Sequence, residues 1–394
     1  MPRTRSLQTR TIRTPLALVL ALALAAVLAP AAAQAKSFYL AVQDDDVMLG
    51  HNPYMPAAAG LDVTKEIGAK QIRVLIPWTK VLATDPTDRT APKKPTYDFS
   101  QFDAAVAAAH AAGVTVQLTV TGPAPAWATH DHEQGVNQPD AKKFAAFAAA
   151  VASHFTNTVK AISIYNEPNY PYFLAPFKAC KKVKGKKTCT DGRAAEYRDL
   201  YTRSYTAIKK VNKKMPVWIG ELAPQGEATN KGKAPSPLAF LRDVLCVDKK
   251  VKHKSCSGTV KTDGVALHSY LLAKSPKSKP RYGDDMSMGV LSRASSLLTK
   301  LEKVKALRLS NGKTGVPIYL TEFGYLTISG SRGTTESRQA TWIPQAIALA
   351  KKASRVRSLL LYQLIDPYNT EATWIGGLFH RDGTPKPVVA KLEK

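Results

Sequence analysis

The sequence has few of the features that mark metal centres, membrane spans or nucleotide-binding sites. It has four cysteines in 394 residues, with no Cys-x-x-Cys motif, and no His-x-His motif ends a predicted strand. No apolar run beyond residue 28 is long enough to span a bilayer, and no glycine-rich phosphate-binding motif follows the first predicted strand. These absences argue against a zinc centre, a membrane-spanning protein and a nucleotide-binding fold. We therefore expect no metal and no cofactor.

The first 35 residues have the pattern of a secretory signal peptide. A basic start with four arginines precedes an unbroken run of Ala, Leu and Val from Leu16 to Leu28, and Ala33-Gln34-Ala35 fits the small-x-small cleavage pattern. A retained membrane anchor is the weaker alternative, because the run is shorter than the roughly 20 residues that a span needs. We expect cleavage after Ala35, export from the cell, and a single domain from residue 36 to residue 394.

Acidic residues are scarce relative to basic ones. The sequence has 56 Lys and Arg against 30 Asp and Glu, a net charge of +26, of which four arginines lie in the first 35 residues and +22 remains. The lysine clusters are Lys178–Lys187, Lys209-Lys210, Lys213-Lys214, Lys249–Lys254 and Lys274–Arg281. A solvated surface is the default interpretation, and contact with an anionic cell-wall polymer is the functional one.

Nucleic acid is not expected as a partner, because the clusters lack interleaved aromatics and the protein is exported. We expect a monomer.

The four cysteines form two close pairs in the sequence, Cys180 with Cys189 and Cys246 with Cys256. In an oxidising compartment, local disulfides that close small loops are the natural pairing. A zinc site is the alternative, but neither the spacing nor an adjacent histidine pattern supports it.

Eight apolar segments alternate with helical patterns along the chain, and this alternation predicts a parallel sheet with right-handed crossovers. The predicted strands are Ser37–Gln43, Ile72–Trp78, Val114–Val120, Ala161–Asn169, Pro216–Glu221, Gly264–Tyr270, Val316–Glu322 and Ser358–Leu364. Eight such units close naturally into a (β/α)8 TIM barrel, whose site lies on the loops at the carboxyl ends of the strands. An open, doubly wound sheet is the alternative.

Three of these strands have a glutamate at their carboxyl end, and in the fifth this residue is Glu221. The fourth leads into Asn166, Glu167 and Pro168, and the seventh ends on Glu322. Two carboxylates at strand ends are the minimum equipment for splitting a glycosidic bond, one as proton donor and the other as nucleophile. Mutual repulsion would raise the pKa of the donor. A carbohydrate is therefore the expected substrate.

Further side chains would support this chemistry. Arg73 lies within an apolar strand, so a carboxylate should pair with it, and Arg73 would keep the nucleophile charged. Asn166 could bind a sugar 2-hydroxyl. Flat faces for sugar rings could come from Trp78, Trp127, Tyr172 and Trp374.

The chain resembles the clan A glycoside hydrolases, in particular the family 5 cellulase-like and family 39-like enzymes. The resemblance rests on the motifs Asn166-Glu167-Pro168 and Thr321-Glu322-Phe323-Gly324. Arg73, His268, Tyr270 and the segment Gly377–Pro387 support it. The resemblance implies retention of anomeric configuration. It also implies that Glu167 is the acid/base, that Glu322 is the nucleophile, and that Tyr270 is hydrogen-bonded to Glu322.

Some features depart from this pattern or allow another interpretation. Family 5 enzymes usually have a tryptophan at the end of strand eight, where this chain has Tyr362-Gln363. A substrate-facing histidine near strands three and four has only His130 and His132 as candidates. His268 could equally be a core histidine, and Glu221 is interpreted as a structural or substrate-contact residue. The alternative function is a non-catalytic, secreted carbohydrate- or cell-wall-binding protein on the same barrel.

Overall fold

Eight parallel strands close into a barrel in the computed structural model of the chain, which describes residues 38–183, 186–229, 232–256, 258–369 and 374–393. The strands are β1 Tyr39–Gln43, β2 Ala69–Pro77, β3 Thr115–Thr121, β4 Ala161–Ile164, β5 Val217–Leu222, β6 Gly264–His268, β7 Ile318–Phe323 and β8 Val356–Tyr362. Each strand pairs with its neighbours in chain order, and β1 also pairs with β8. The predicted (β/α)8 barrel is confirmed. The predicted signal peptide and its cleavage site lie outside the described residues.

Helices cover the outside of the barrel. The long ones are α1 Ala57–Glu66, α2 Ser100–Ala111, α3 Ala141–His154, α4 Arg193–Val211, α5 Pro237–Val244, α6 Leu291–Lys303 and α7 Glu336–Lys352. Short helical turns are Asp45–Met48, Trp78–Val81, Ala126–Ala128, Met288–Val290 and Val389–Lys391. No helix in this described part of the chain is long and apolar enough to cross a bilayer.

The strands are apolar towards the helices and partly polar towards the barrel interior. On β3, Val116 and Leu118 alternate with Gln117 and Thr119, and all four side chains are fully buried. Successive side chains of a strand point to opposite faces, so the apolar set packs under the helices and the polar set lies inside the barrel. The polar interior must therefore be satisfied by internal hydrogen bonds.

Local signals explain where several elements begin and end. Strand β2 ends at Pro77, which has no N–H for the sheet, and Trp78 starts a short helix instead of ending the strand as expected. Helix α7 begins at Glu336, because the side chain of Thr335 caps it by accepting a hydrogen bond from the backbone N–H of Arg338.

A tyrosine of α4 ties two neighbouring strands together near their carboxyl ends. The Tyr197 hydroxyl donates to the carbonyl of Ile164 on β4 at 2.9 Å and accepts from the N–H of Gly220 on β5 at 2.8 Å. Gly220 has φ +115°, and a Cβ there would lie 2.3 Å from the carbonyl oxygen of Ala266. Glycine is therefore required where β5 bends before Glu221.

Two hairpins, which were not among the predicted strands, rise from the loops after β4 and β5. Strands Lys178–Val183 and Lys186–Asp191 form the first, and Glu227–Thr229 with Gly232–Ala234 form the second. The structure contains both predicted disulfides. Cys180–Cys189 joins the two strands of the first hairpin, and Cys246–Cys256 closes the loop after α5.

Candidate functional site

Two carboxylates face each other at the carboxyl ends of β4 and β7. One oxygen of Glu167 and one of Glu322 lie within 4.8 Å of each other, and Nδ1 or Nε2 of His268 lies within the same distance of both. The two glutamate side chains are 15% and 13% exposed, so both are largely buried but open to a cavity. This cavity of about 520 Å³ is lined by Glu167, Tyr170, Tyr270, Glu322, Tyr362 and Trp374, among others.

The backbone turns sharply after β4 to present Glu167. Both Tyr165 and Glu167 lie in the left-handed region, with φ of 72° and 41°. Such a conformation costs a non-glycine residue about 1–3 kcal/mol and persists only where the surroundings hold it. Here the backbone N–H of Glu167 donates to the carbonyl of Glu221 at 2.9 Å, and His268 Nδ1 lies 2.7 Å from Glu167 Oε1.

Glu322 is held by two donors, one on each carboxylate oxygen. Arg73 Nη1 donates to Oε1 at 2.6 Å, and the Tyr270 hydroxyl donates to Oε2 at 2.9 Å. His268 Nδ1 lies 3.5 Å from the same Oε2. The structure thus brings together Glu167, Glu322, Arg73, His268 and Tyr270, all of which the sequence analysis selected.

Arg73 is fully buried, and each of its five N–H groups has an acceptor. Nε donates to Thr119 at 2.9 Å, and Nη2 donates to Oδ1 of Asn166 at 2.7 Å. Nη1 also donates to Gln43, and Nη2 also donates to Glu221. A buried guanidinium without partners would be unstable, so this set of acceptors is what allows Arg73 to stay below the cavity.

Asn166 is oriented by this network. Its side-chain oxygen must face Arg73 because the guanidinium can only donate, so its amide nitrogen is the group left to donate to a bound molecule. Asn166 is 5% exposed. The Asn166 backbone N–H donates to Thr121 at 3.1 Å.

The two carboxylates have pKa values shifted in opposite directions. Burial raises the pKa of Glu167, and the negative charge of Glu322 adds to the increase, although His268 and Arg73 oppose it. Burial acts in the same way on Glu322, but the positive charges of His268 and Arg73 and the hydrogen bonds of Arg73 and Tyr270 outweigh it, and the pKa of Glu322 is lowered. The arrangement therefore favours a proton on Glu167 and a negative charge on Glu322.

His268 lies between the two carboxylates. Burial by itself would lower the pKa of His268, but the charges of Glu322 and Glu167 raise it above the usual value. The three side chains could in principle hold one cation through two carboxylates and an imidazole. The positive charge of Arg73, which already contacts Glu322, would repel a metal ion at this position. We therefore interpret the cluster as a hydrogen-bonded acid–base site.

Aromatic rings form one wall of the cavity. The ring centre of Trp374 lies 4.9 Å from that of Tyr270 and 5.5 Å from that of Tyr362. Trp374, which follows β8 in the chain, therefore reaches the position next to Glu322 even though Tyr362 ends that strand. Flat, apolar ring faces beside polar donors are suited to binding sugar rings.

The structure places two of the predicted substrate-binding tryptophans elsewhere. Trp78 is fully buried and stacks on Phe147, with ring centres 5.4 Å apart and an angle of 4° between the planes. Trp127 packs edge-on against Trp78 and borders a separate depression together with His130 and His132. We therefore correct this assignment: Trp78 and Trp127 are core residues, and neither histidine faces the cavity of Glu167.

Tyr172, also suggested as a sugar platform, lies on the surface near the cavity. It is 39% exposed, and its ring stacks on Tyr170 with 5.2 Å between centres. Tyr170 borders the cavity and its hydroxyl donates to Glu227 at 2.5 Å. Tyr170 was not selected from the sequence.

Four polar residues of the buried network were also missed. Gln43 and Thr119 accept from Arg73, while Gln117 and Ser163 donate to Glu221. Each follows or separates buried apolar residues of its strand, and that pattern was the available signal for all of them.

Comparisons with known proteins bear on the family and the fold of the chain. Residues 39–358 match the family Cellulase (glycosyl hydrolase family 5). Among curated proteins, none matches the chain. Three similar solved structures illustrate the likeness at the level of the fold. The first is a family 39 glycoside hydrolase from Bacteroides cellulosilyticus, with 18% identity and a TM-score of 0.61; the match covers 91% of this chain and 63% of that chain. The second is a family 39 β-xylosidase from Caulobacter crescentus, with 18% identity and a TM-score of 0.56; the match covers 91% of this chain and 70% of that chain. The third is a glucosidase from Croceicoccus marinus, with 14% identity and a TM-score of 0.58; the match covers 91% of this chain and 66% of that chain. The chain thus spans about two thirds of the length of these neighbours.

The different environments of the tryptophans predict different effects of substitution. Trp78→Ala should lower the free energy of unfolding by about 3–5 kcal/mol, because it opens a cavity in the core. Trp374→Ala, at the half-buried cavity wall, should lower it much less. Chemical denaturation of both variants measures the difference, and a small loss for Trp78→Ala would contradict its core position.

Proposed function

The chain belongs to glycosyl hydrolase family 5, the cellulase family, and from this membership we propose a secreted enzyme that hydrolyses β-glycosidic bonds of an oligo- or polysaccharide with retention of configuration. Hydrolysis of glycosidic bonds follows from the family itself. The proposal adds the double-displacement mechanism, with Glu167 as acid/base and Glu322 as nucleophile.

The separation of the two carboxylates carries this proposal. Retaining enzymes hold the pair about 5–5.5 Å apart, whereas inverting enzymes need about 6.5–9.5 Å to admit a water molecule between carboxylate and sugar. One oxygen of Glu167 lies within 4.8 Å of one oxygen of Glu322, and this distance fits the shorter separation. The short separation supports direct attack by one carboxylate.

In the first step, a carboxylate oxygen of Glu322 bonds to the anomeric carbon while the bond from that carbon to the leaving oxygen breaks. Glu167 gives its proton to the leaving oxygen. Because its pKa is raised, Glu167 retains the proton that it donates, and because its pKa is lowered, Glu322 remains ionised as the nucleophile.

In the second step, Glu167, now a carboxylate, removes a proton from water as the water oxygen bonds to the anomeric carbon. The bond to Glu322 breaks, and the glutamate returns to its ionised form. Two inversions at one carbon give net retention. Arg73 and Tyr270 each bind one oxygen of Glu322, so they steady the carboxylate before attack and after its release.

The substrate position follows from the polar and aromatic groups around the pair. The amide nitrogen of Asn166 would donate to a hydroxyl of the sugar that is attacked, and Trp374 would contact its ring face. The neighbours named as a β-xylosidase and a glucosidase make aryl β-xylosides and β-glucosides the first substrates to test.

Export is supported by the signal-like sequence and by the two disulfides, which persist in oxidising compartments. Outside the cell, the excess of lysine and arginine would attract an anionic cell-wall polymer. Lys274 and Arg332 border the active-site cavity itself, so part of this charge would lie where a polymer enters.

A mechanism-based label should identify Glu322. A 2-deoxy-2-fluoro β-glycoside matching the preferred sugar should form a covalent adduct, and peptide mass spectrometry should place it on the Tyr319–Tyr325 segment. Glu322→Gln should abolish labelling, and proton NMR should detect the β-anomer before mutarotation. A label on another residue, or the α-anomer first, would overturn the assignment. Absence of turnover on every substrate would instead favour the non-catalytic carbohydrate-binding alternative.

Replacement of the acid/base should separate substrates by leaving group. Glu167→Ala should slow cleavage of oligosaccharides by about 10²–10⁴-fold, whereas glycosyl-enzyme formation from a dinitrophenyl glycoside should suffer less. Wild-type kcat/KM should fall as pH rises through the raised pKa of Glu167, and the variant should lose this alkaline limb.

Azide should restore turnover of Glu167→Ala and yield a β-glycosyl azide. Glu227→Ala removes another carboxylate of the same cavity and serves as the control, since it should show neither the leaving-group effect nor the rescue. Equal losses on both substrate types without rescue would count against Glu167.

Adsorption to an anionic polymer should depend on salt. Retention of the protein on an acidic cell-wall polysaccharide should fall steeply between about 0.01 and 1 M NaCl, because the Debye length shrinks from about 30 Å to 3 Å. Retention on neutral cellulose is the control. If retention on the acidic polymer is unchanged by salt, the lysines are only a solvated surface.

A further inference from the structure

Glu221 is a third buried carboxylate beside the catalytic pair, and the mechanism above gives it no role. It is fully buried, and it is absent from the lining of the active-site cavity, so it does not touch substrate. Its side chain accepts hydrogen bonds from Arg73, from Thr119 at 3.0 Å, from Ser163 at 2.5 Å and from Gln117 at 3.2 Å. A buried carboxylate with four donors is held in one position.

Glu221 contacts both halves of the catalytic machinery. Through its side chain it binds the same guanidinium that binds Glu322, and the two carboxylates occupy different nitrogens of Arg73. Through its backbone carbonyl it accepts the N–H of Glu167 at 2.9 Å. Glu221 itself lies in the left-handed region, with φ of 55°, which turns its carbonyl and its side chain to these two partners at once.

Sharing one cation between two carboxylates has a chemical consequence. If Arg73 balanced Glu322 alone, the full charge of the guanidinium would stabilise the carboxylate and weaken it as a nucleophile. The negative charge of Glu221 on the same guanidinium should offset part of this stabilisation, so Glu322 should be more basic than it would be in a two-membered ion pair. Removing the charge of Glu221 should therefore lower the pKa of Glu322 further.

We propose that Glu221 is a positioning residue that divides the charge of Arg73 and so sets the basicity of Glu322, while its carbonyl fixes the backbone of Glu167. This inference rests on the proposed nucleophile role of Glu322. The other charged or titratable groups that face Glu322 are Arg73, Glu167, His268, Tyr270, Tyr362 and Asp45. Tyr197 of α4 reaches the backbone beside Glu221.

Two substitutions of opposite sign test the division of charge. Glu221→Gln removes a negative charge from Arg73, so the acidic limb of the kcat/KM profile, which reports ionisation of Glu322, should move about one pH unit lower. The plateau rate with an activated aryl glycoside should fall about tenfold. Gln43→Glu adds a negative charge on the other side of Arg73, and the acidic limb should move upward.

Ser163→Ala is the matched control. It removes a hydrogen bond to Glu221 without changing any charge, so it should lower the melting temperature and leave the acidic limb in place. A purely structural role for Glu221 predicts that all three variants lose stability and that no limb moves, and this outcome would overturn the proposal. If Glu221→Gln does not fold, the direction of the shift in Gln43→Glu decides alone.

Labelling of the wild-type enzyme by the fluoro-glycoside separates this inference from the function on which it rests. If the label is on Glu322 but the acidic limb does not move, only the role of Glu221 is rejected. If the wild-type enzyme carries no label on Glu322, the proposed mechanism is rejected, and the role of Glu221 is rejected with it.

Discussion

The buried guanidinium of Arg73 is the constraint on which the mouth of the barrel depends. Removing such a charge from water is tolerable only if every N–H finds an acceptor, and the charge itself is balanced. This requirement accounts for the polar side chains that face Arg73, including Gln43 on β1, Thr119 on β3 and Asn166 after β4. The polar layer thus serves one cation, and the two carboxylates of the cavity lie beside it.

Two glutamates at similar depth acquire different properties from this layer. Glu322 accepts hydrogen bonds from Arg73 and Tyr270. Glu167 lies against the imidazole of His268, and burial raises the pKa of Glu167. One site therefore stabilises charge and the other disfavours it, although the side chains are nearly equally exposed. Contact with the guanidinium, rather than depth in the protein, distinguishes the two carboxylates here.

Much of this arrangement could be predicted from the sequence, because strand ends and motifs are local features. Eight apolar segments were enough for the barrel, and Arg73 within one of them required a carboxylate partner. The sequence did not indicate that two carboxylates share it, because Glu221 meets Arg73 only when β2 and β5 lie across the closed barrel. The position of Trp78 was mistaken for a similar reason: Pro77 ends the strand, and the following turn directs the indole under α3 towards Phe147. The lysine-rich hairpin was missed because lysine and glycine give little strand signal.

The hydroxyl of Tyr197 joins the outer helical layer to the catalytic end of the barrel. It bridges β4 and β5 immediately before the turns that carry Glu167 and Glu221. A partial detachment of α4, well short of global unfolding, would release both turns at once. Thermal inactivation can therefore begin as a local opening on the outside of the molecule, while the strands remain paired. The rate of thermal inactivation would then depend on how strongly α4 packs against the barrel.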